Sequence, residues 1–97
     1  MPRRKKPRTC ACPFSSMKGR AFKPTGTPMT ELEQIALQED ELEAMRLCDL
    51  DGLTQEQAGE KMGVSRGTVQ RLLNSGRKKT ALALSQSKAL VFEHTAD

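Results

Sequence analysis

Arg66, Gln70, Arg71 and Asn74 are side chains of the types that read base pairs, and they fall within three helical turns of one another. Arginine can bond one guanine at two points, and Gln or Asn can do the same to an adenine, so a helix carrying this set could discriminate sequence in a major groove. Arg66, Gln70 and Arg71 lead as base readers, because side chains near the start of such a helix reach deepest. Groups suited to phosphate oxygens stand around them. Thr54, Gln55, Ser65 and Thr68 lie at or near expected helix N-termini, where backbone donors are free, and Arg77, Lys78 and Lys79 extend the basic strip. Gly67 would let the helix approach closely or leave room for a thymine methyl.

Two short helices must hold these groups. Thr54 with Gln57 three residues on is a capping box, and Ala58 and Met62 face inward at i, i+4. Gly63 supplies the turn, Val64 plugs the angle, and Ser65 caps the next helix through its hydroxyl. Val69, Leu72, Leu73 and Gly76 share one side of that helix, which continues through residues 77–84 with a possible bend near Gly76. The pattern is that of a helix-turn-helix, whose second helix enters the groove. Ahead of it, residues 39–50 predict a helix with Leu42, Met45, Leu47 and Leu50 on a buried stripe, acids in its first turn, and Gly52 as its stop. Leu32, Ile35 and Leu37 fit either the start of a helix or a short strand. Residues 88–93 read as a strand, with Leu90 and Phe92 on one face and Ala89 and Val91 on the other. That strand needs a partner, either the Phe22 segment or its own copy in a dimer.

Ninety-seven residues allow one small domain with tails. Charge is blocked along the chain: +8 over residues 1–24, −8 over 25–62 and +4 over 63–97. Two basic surfaces flanking an acidic one call for a polyanion partner. The Pro-containing arm at residues 1–8 could enter a minor groove or simply act as a solubilising tail. No apolar run is long enough to span a bilayer and no apolar segment follows the basic start, so a cytoplasmic protein without a membrane partner is expected.

Other chemistry has little to work with. Cys10 and Cys12 are spaced too tightly for a usual zinc knuckle and no second pair follows. Cys48 reads as a small core residue and His94 as a surface side chain. No cofactor or metal is expected. With one His, no phosphate-binding glycine loop and no nucleophile elbow, neither is catalysis.

The chain resembles a family of small bacterial and archaeal proteins, uncharacterised and predicted to bind DNA. The resemblance rests on Met1-Pro2-Arg3 with the basic residues after it, a cysteine near Cys10, and Phe22-Lys23-Pro24-Thr25-Gly26. It continues through Asp40-Glu41-Leu42-Glu43-Ala44-Met45-Arg46-Leu47, Gly52-Leu53-Thr54-Gln55-Glu56, Met62-Gly63-Val64-Ser65-Arg66, Gln70-Arg71-Leu72-Leu73 and Lys88-Ala89-Leu90. Residues 42–73 are also similar to the fourth region of bacterial sigma factors, which docks a helix-turn-helix on promoter DNA. The resemblance implies a role in transcription regulation.

The resulting expectation is an all-α helix-turn-helix domain, winged-helix-like or sigma-region-four-like. It divides into a basic arm and loop at residues 1–24, the DNA-binding domain at 25–85, and a short strand and tail at 86–97. Its expected activity is sequence-specific binding of double-stranded DNA as a homodimer that regulates transcription. The alternatives are a protein-interaction adaptor, or a metal- or redox-responsive regulator using Cys10 and Cys12.

Overall fold

The computed structural model describes residues 21–93. Strand β1 (Ala21–Phe22) leads through a 3-10 turn (Met29–Glu31) to strand β2 (Gln34–Gln38). Helix α1 (Glu39–Met45) follows without a break and relaxes into a π-helical turn (Arg46–Leu50). Helices α2 (Gln55–Met62) and α3 (Arg66–Gln86) come next, and strand β3 (Ala89–Glu93) closes the order.

This arrangement overturns the all-α expectation. The strands form a three-stranded mixed sheet in the order β1-β3-β2, with β3 antiparallel to β1 and parallel to β2. The C-terminal β element is therefore the centre of a sheet, and the chain folds as α with β throughout. The physical reason is alternation over a short stretch. Ile35 and Leu37 lie opposite Leu90 and Phe92 in register, so the four side chains make one apolar face. A helix over residues 32–38 would have split that set. Phe22, opposite Leu90 on β1, sets its ring edge-on against Phe92 with centroids 5.7 Å apart.

One apolar cluster, Leu37, Leu90 and Phe92 with Ile35 and Leu42, lies on this face beneath Ala83 of α3. The other, Ala44, Leu47, Ala58, Val69 and Leu73, sits where the three helices meet. Helix α3 runs unbroken through both. Gly76 does not bend it; instead it lets α1 cross, since a Cβ there would come within 2.7 Å of Met45 Sδ and 3.4 Å of Glu41 Cβ. Val69 and Leu73 are its most deeply buried side chains, each worth about 1.5–3 kcal/mol of transfer free energy.

The junction of β2 and α1 is tied to α3 by a buried carboxylate. Glu41 accepts from the Gln38 backbone N–H at 2.8 Å, from Lys79 Nζ at 2.8 Å and from the Ser75 hydroxyl. Burial pushes its carboxyl up, but these donors together outweigh burial and hold it below its ordinary value. Glu41 is one of the acids expected in the first turn of this helix, and it is only 5% exposed.

Candidate nucleic-acid interface

Three local devices fix the angle between α2 and α3. Thr54 Oγ1 accepts from the Gln57 backbone N–H while Gln57 Oε1 accepts from the Thr54 N–H, both at 3.0 Å, so α2 starts in a closed capping box. Gly63 ends α2 in the left-handed region at φ 74°, which a glycine adopts without a Cβ penalty. Ser65 then starts α3 by accepting from the Thr68 N–H at 3.2 Å. A fourth device was not read from the sequence. Gly59, inside α2, lies against the turn so closely that a Cβ would be 2.6 Å from the Val64 carbonyl oxygen.

Arg66, Gln70, Arg71 and Asn74 are all exposed on the outward side of α3, with Lys78 two turns beyond Gln70. The four base-reading candidates thus share one face. Among the described residues no carboxylate pairs with Arg66, Arg71 or Lys78. Arg71 Nη2 instead donates to Thr68 Oγ1 at 3.2 Å, and Thr68 Oγ1 lies 3.0 Å from Ser65 Oγ.

The phosphate candidates divide. Ser65 and Thr68 come together at the start of α3. Thr54 is exposed at the start of α2, its Oγ1 accepting from the cap, while Gln55 is half-buried with Oε1 enclosed and without a hydrogen-bond partner. Arg77 is committed elsewhere: Nη2 and Nε donate to Asp49 Oδ1 at 2.6 Å and Oδ2 at 3.1 Å. The Arg77 hydrogen bonds hold the Asp49 carboxyl below its ordinary value. Asp49 sits on the π-helical turn, whose offset from α-helical geometry no local residue pattern announces. Lys79 is likewise taken, by Glu41. Cys48 packs at the edge of the helical cluster as expected, and burial pushes its thiol up.

The arm at residues 1–8, Cys10, Cys12 and His94 lie outside the described residues. Among the described residues, no three His, Cys, Asp or Glu side chains gather to hold a metal ion, and no helix is long and apolar enough to cross a membrane.

The family model described as "Protein of unknown function DUF134" matches residues 1–96. A UPF0251 protein of Aeromonas salmonicida is 48% identical over 94 residues, covering 96% of this chain and 88% of the relative. One from Vibrio parahaemolyticus is 51% identical over 71 residues, 73% of this chain and 74% of the relative. One from Halothermothrix orenii is 51% identical over 74 residues, 76% of this chain and 55% of that longer relative. No solved structure matches the chain.

Proposed function

The chain belongs to the DUF134 family, and we propose that it binds double-stranded DNA in a sequence-specific manner and regulates transcription. The observation that carries this reading is the outward side of α3. Five polar side chains able to donate hydrogen bonds (Arg66, Gln70, Arg71, Asn74 and Lys78) lie along it, all exposed, with no carboxylate bound to any of them among the described residues. A solvated helix face in a chain this rich in acids would be expected to mix signs; residues 63–92 contain no acid at all. The capping box at Thr54, the Gly63 turn and the Ser65 cap also join α2 to α3 closely, as a helix-turn-helix requires.

In this reading Arg66, Gln70, Arg71 and Asn74 face base edges. Ser65, Thr68 and the free N–H groups at the start of α3 meet one phosphate, the start of α2 near Thr54 meets another, and Lys78 follows the backbone. Two copies on a two-fold site would multiply both affinity and selectivity. Selection of bound duplexes from a random pool, with the full chain, tests the proposal. A recurring motif is expected. Lys78→Ala should weaken every duplex alike and lower the slope of log affinity against log salt by about one. Duplex binding that neither selects a motif nor responds to Arg71→Ala and Lys78→Ala would place the contact on another surface.

A further inference from the structure

Among the four base-reading candidates, only Arg71 has a side-chain hydrogen bond among the described residues. Its partner is uncharged. Among the described residues Lys23 alone shares such a neutral partner, donating to the Pro24 and Thr27 carbonyls; other bonded cations meet carboxylates. Arg46 is paired with Glu43 and Asp51, Arg77 with Asp49, Lys79 with Glu41 and Lys88 with Glu33. Each of those partners neutralises the charge it holds. Arg71 is held by a hydroxyl, which fixes a direction and leaves the charge whole. Its guanidinium folds back along α3 over Gly67, where Nη1 lies 4.0 Å from the point a Cβ would occupy. Any longer side chain at position 67 would take that seat.

The hydroxyl pair beneath has a definite proton count. Ser65 Oγ and Thr68 Oγ1 are 3.0 Å apart, and Ser65 Oγ already accepts the Thr68 N–H. The two oxygens carry two protons and share one between them, so one proton is left over from the pair. Arginine only donates, so Thr68 Oγ1 must accept from it. Of the five guanidinium donors, Thr68 uses one and four stay available, enough for a two-point contact. The leftover hydroxyl proton and the free N–H groups at the start of α3 suit a phosphate oxygen, so that role does not require Arg71.

We propose that Thr68 and Gly67 are positioning residues that preset the Arg71 guanidinium, and that its ligand is the O6 and N7 edge of one guanine in the bound duplex. The inference rests on the DNA-binding reading above. A flexible arginine reaches any nearby acceptor, phosphate most often. One held over the first turns of an inserted helix meets the groove floor already oriented, and there the bidentate guanine contact is the one its geometry fits.

The test is competition at each position of a selected duplex, with the full chain and variants shown by circular dichroism to be folded. Arg71→Ala should erase a guanine preference of roughly 5- to 150-fold at one position. Thr68→Val, which keeps shape and removes the hydroxyl, should weaken the same preference by roughly two- to tenfold, and Thr68→Ser should restore it. Gly67→Leu should relax that position also. In the free protein, the Arg71 Nη resonances should be resolved in wild type and averaged in Thr68→Val. An unchanged guanine preference and unchanged Arg71 resonances in Thr68→Val overturn the positioning role while duplex recognition stands. Uniform weakening across all sequences by Arg71→Ala overturns the guanine assignment in favour of phosphate. A wild-type chain that binds no duplex removes the reading on which the inference is built.

Discussion

Replacing Gly59 with Ala tests how closely helices α2 and α3 are joined. In an ordinary exposed helix this change stabilises by about 1 kcal/mol. Here the added carbon would lie 2.6 Å from the Val64 carbonyl oxygen, about 0.8 Å inside ordinary contact, with Ser65 C and Val69 Cγ2 each at 3.5 Å behind it. The oxygen cannot swing aside as a side chain would, because it belongs to the backbone. Nor can the turn simply retreat, since the Val64 N–H donates to the Gly59 carbonyl at 2.9 Å. Overpacking costs about 1–3 kcal/mol, and a stretched turn bond adds about 0.5–1.5 kcal/mol. Against the helix gain, a net loss of about 0.5–3.5 kcal/mol remains. For a domain of this size that is a melting temperature lower by about 2–28 °C. Gly67→Ala is the matched control. Its new carbon would meet Ser65 Oγ at 3.9 Å and Arg71 Nη1 at 4.0 Å, so it should gain about 0.5–1 kcal/mol. Thermal unfolding followed by circular dichroism reads both. Should Gly59→Ala melt as high as Gly67→Ala, the close approach of α2 to the turn is refuted.

Glu41→Gln should cost about 1.5–3 kcal/mol at neutral pH in urea unfolding, because the charge-assisted bonds to Lys79 and Ser75 are lost. The Glu41 carboxyl is lowered in the fold, so its contribution is complete above the unfolded carboxylate pKa and disappears as pH falls through the folded one. The variant should accordingly show a flatter acid limb, and an unaltered limb would contradict the network. Asp49→Asn should free Arg77, tighten binding to any duplex and steepen the salt slope by up to about one; anisotropy titrations at several salt concentrations measure it, and a shallower slope would count against Arg77 lying near the backbone. Its effect on stability should stay within about 1 kcal/mol, since the pair is exposed.

Legibility in the sequence followed the range of each interaction. The caps at Thr54 and Ser65 and the Gly63 turn are written within four residues of themselves, and they stand where the spacing put them. The inward set Val69, Leu73 and Gly76 and the outward set Gln70, Arg71 and Asn74 follow from helical period alone. The sheet was readable only in part, at β3 and its Phe22 partner; β2 holds only five residues and β1 two, and each is stabilised by a strand far off in the chain. Partial signals were there: the alternation of Leu90 and Phe92, and Phe22 as a partner for them. Long-range pairing also hid Asp49 and Glu41, whose partners lie 28 and 38 residues away. A positive strip counted from composition had included Arg77 and Lys79 as free charges. Gly59 escaped because a helical glycine looks like a propensity defect until the turn that crowds it is in view.

Helix α3 carries the outward candidate readers near its start and roofs the sheet with Ala83 near its end. A rod anchored at both places keeps their angular phase. Adding or deleting one residue between Leu73 and Ala83 would twist one end against the other by about 100°, either turning the reading side away from its target or lifting the roof from the strands. An exposed side chain on that stretch, such as Ala81, can be exchanged without turning the rod, but the length of the stretch is not free to drift.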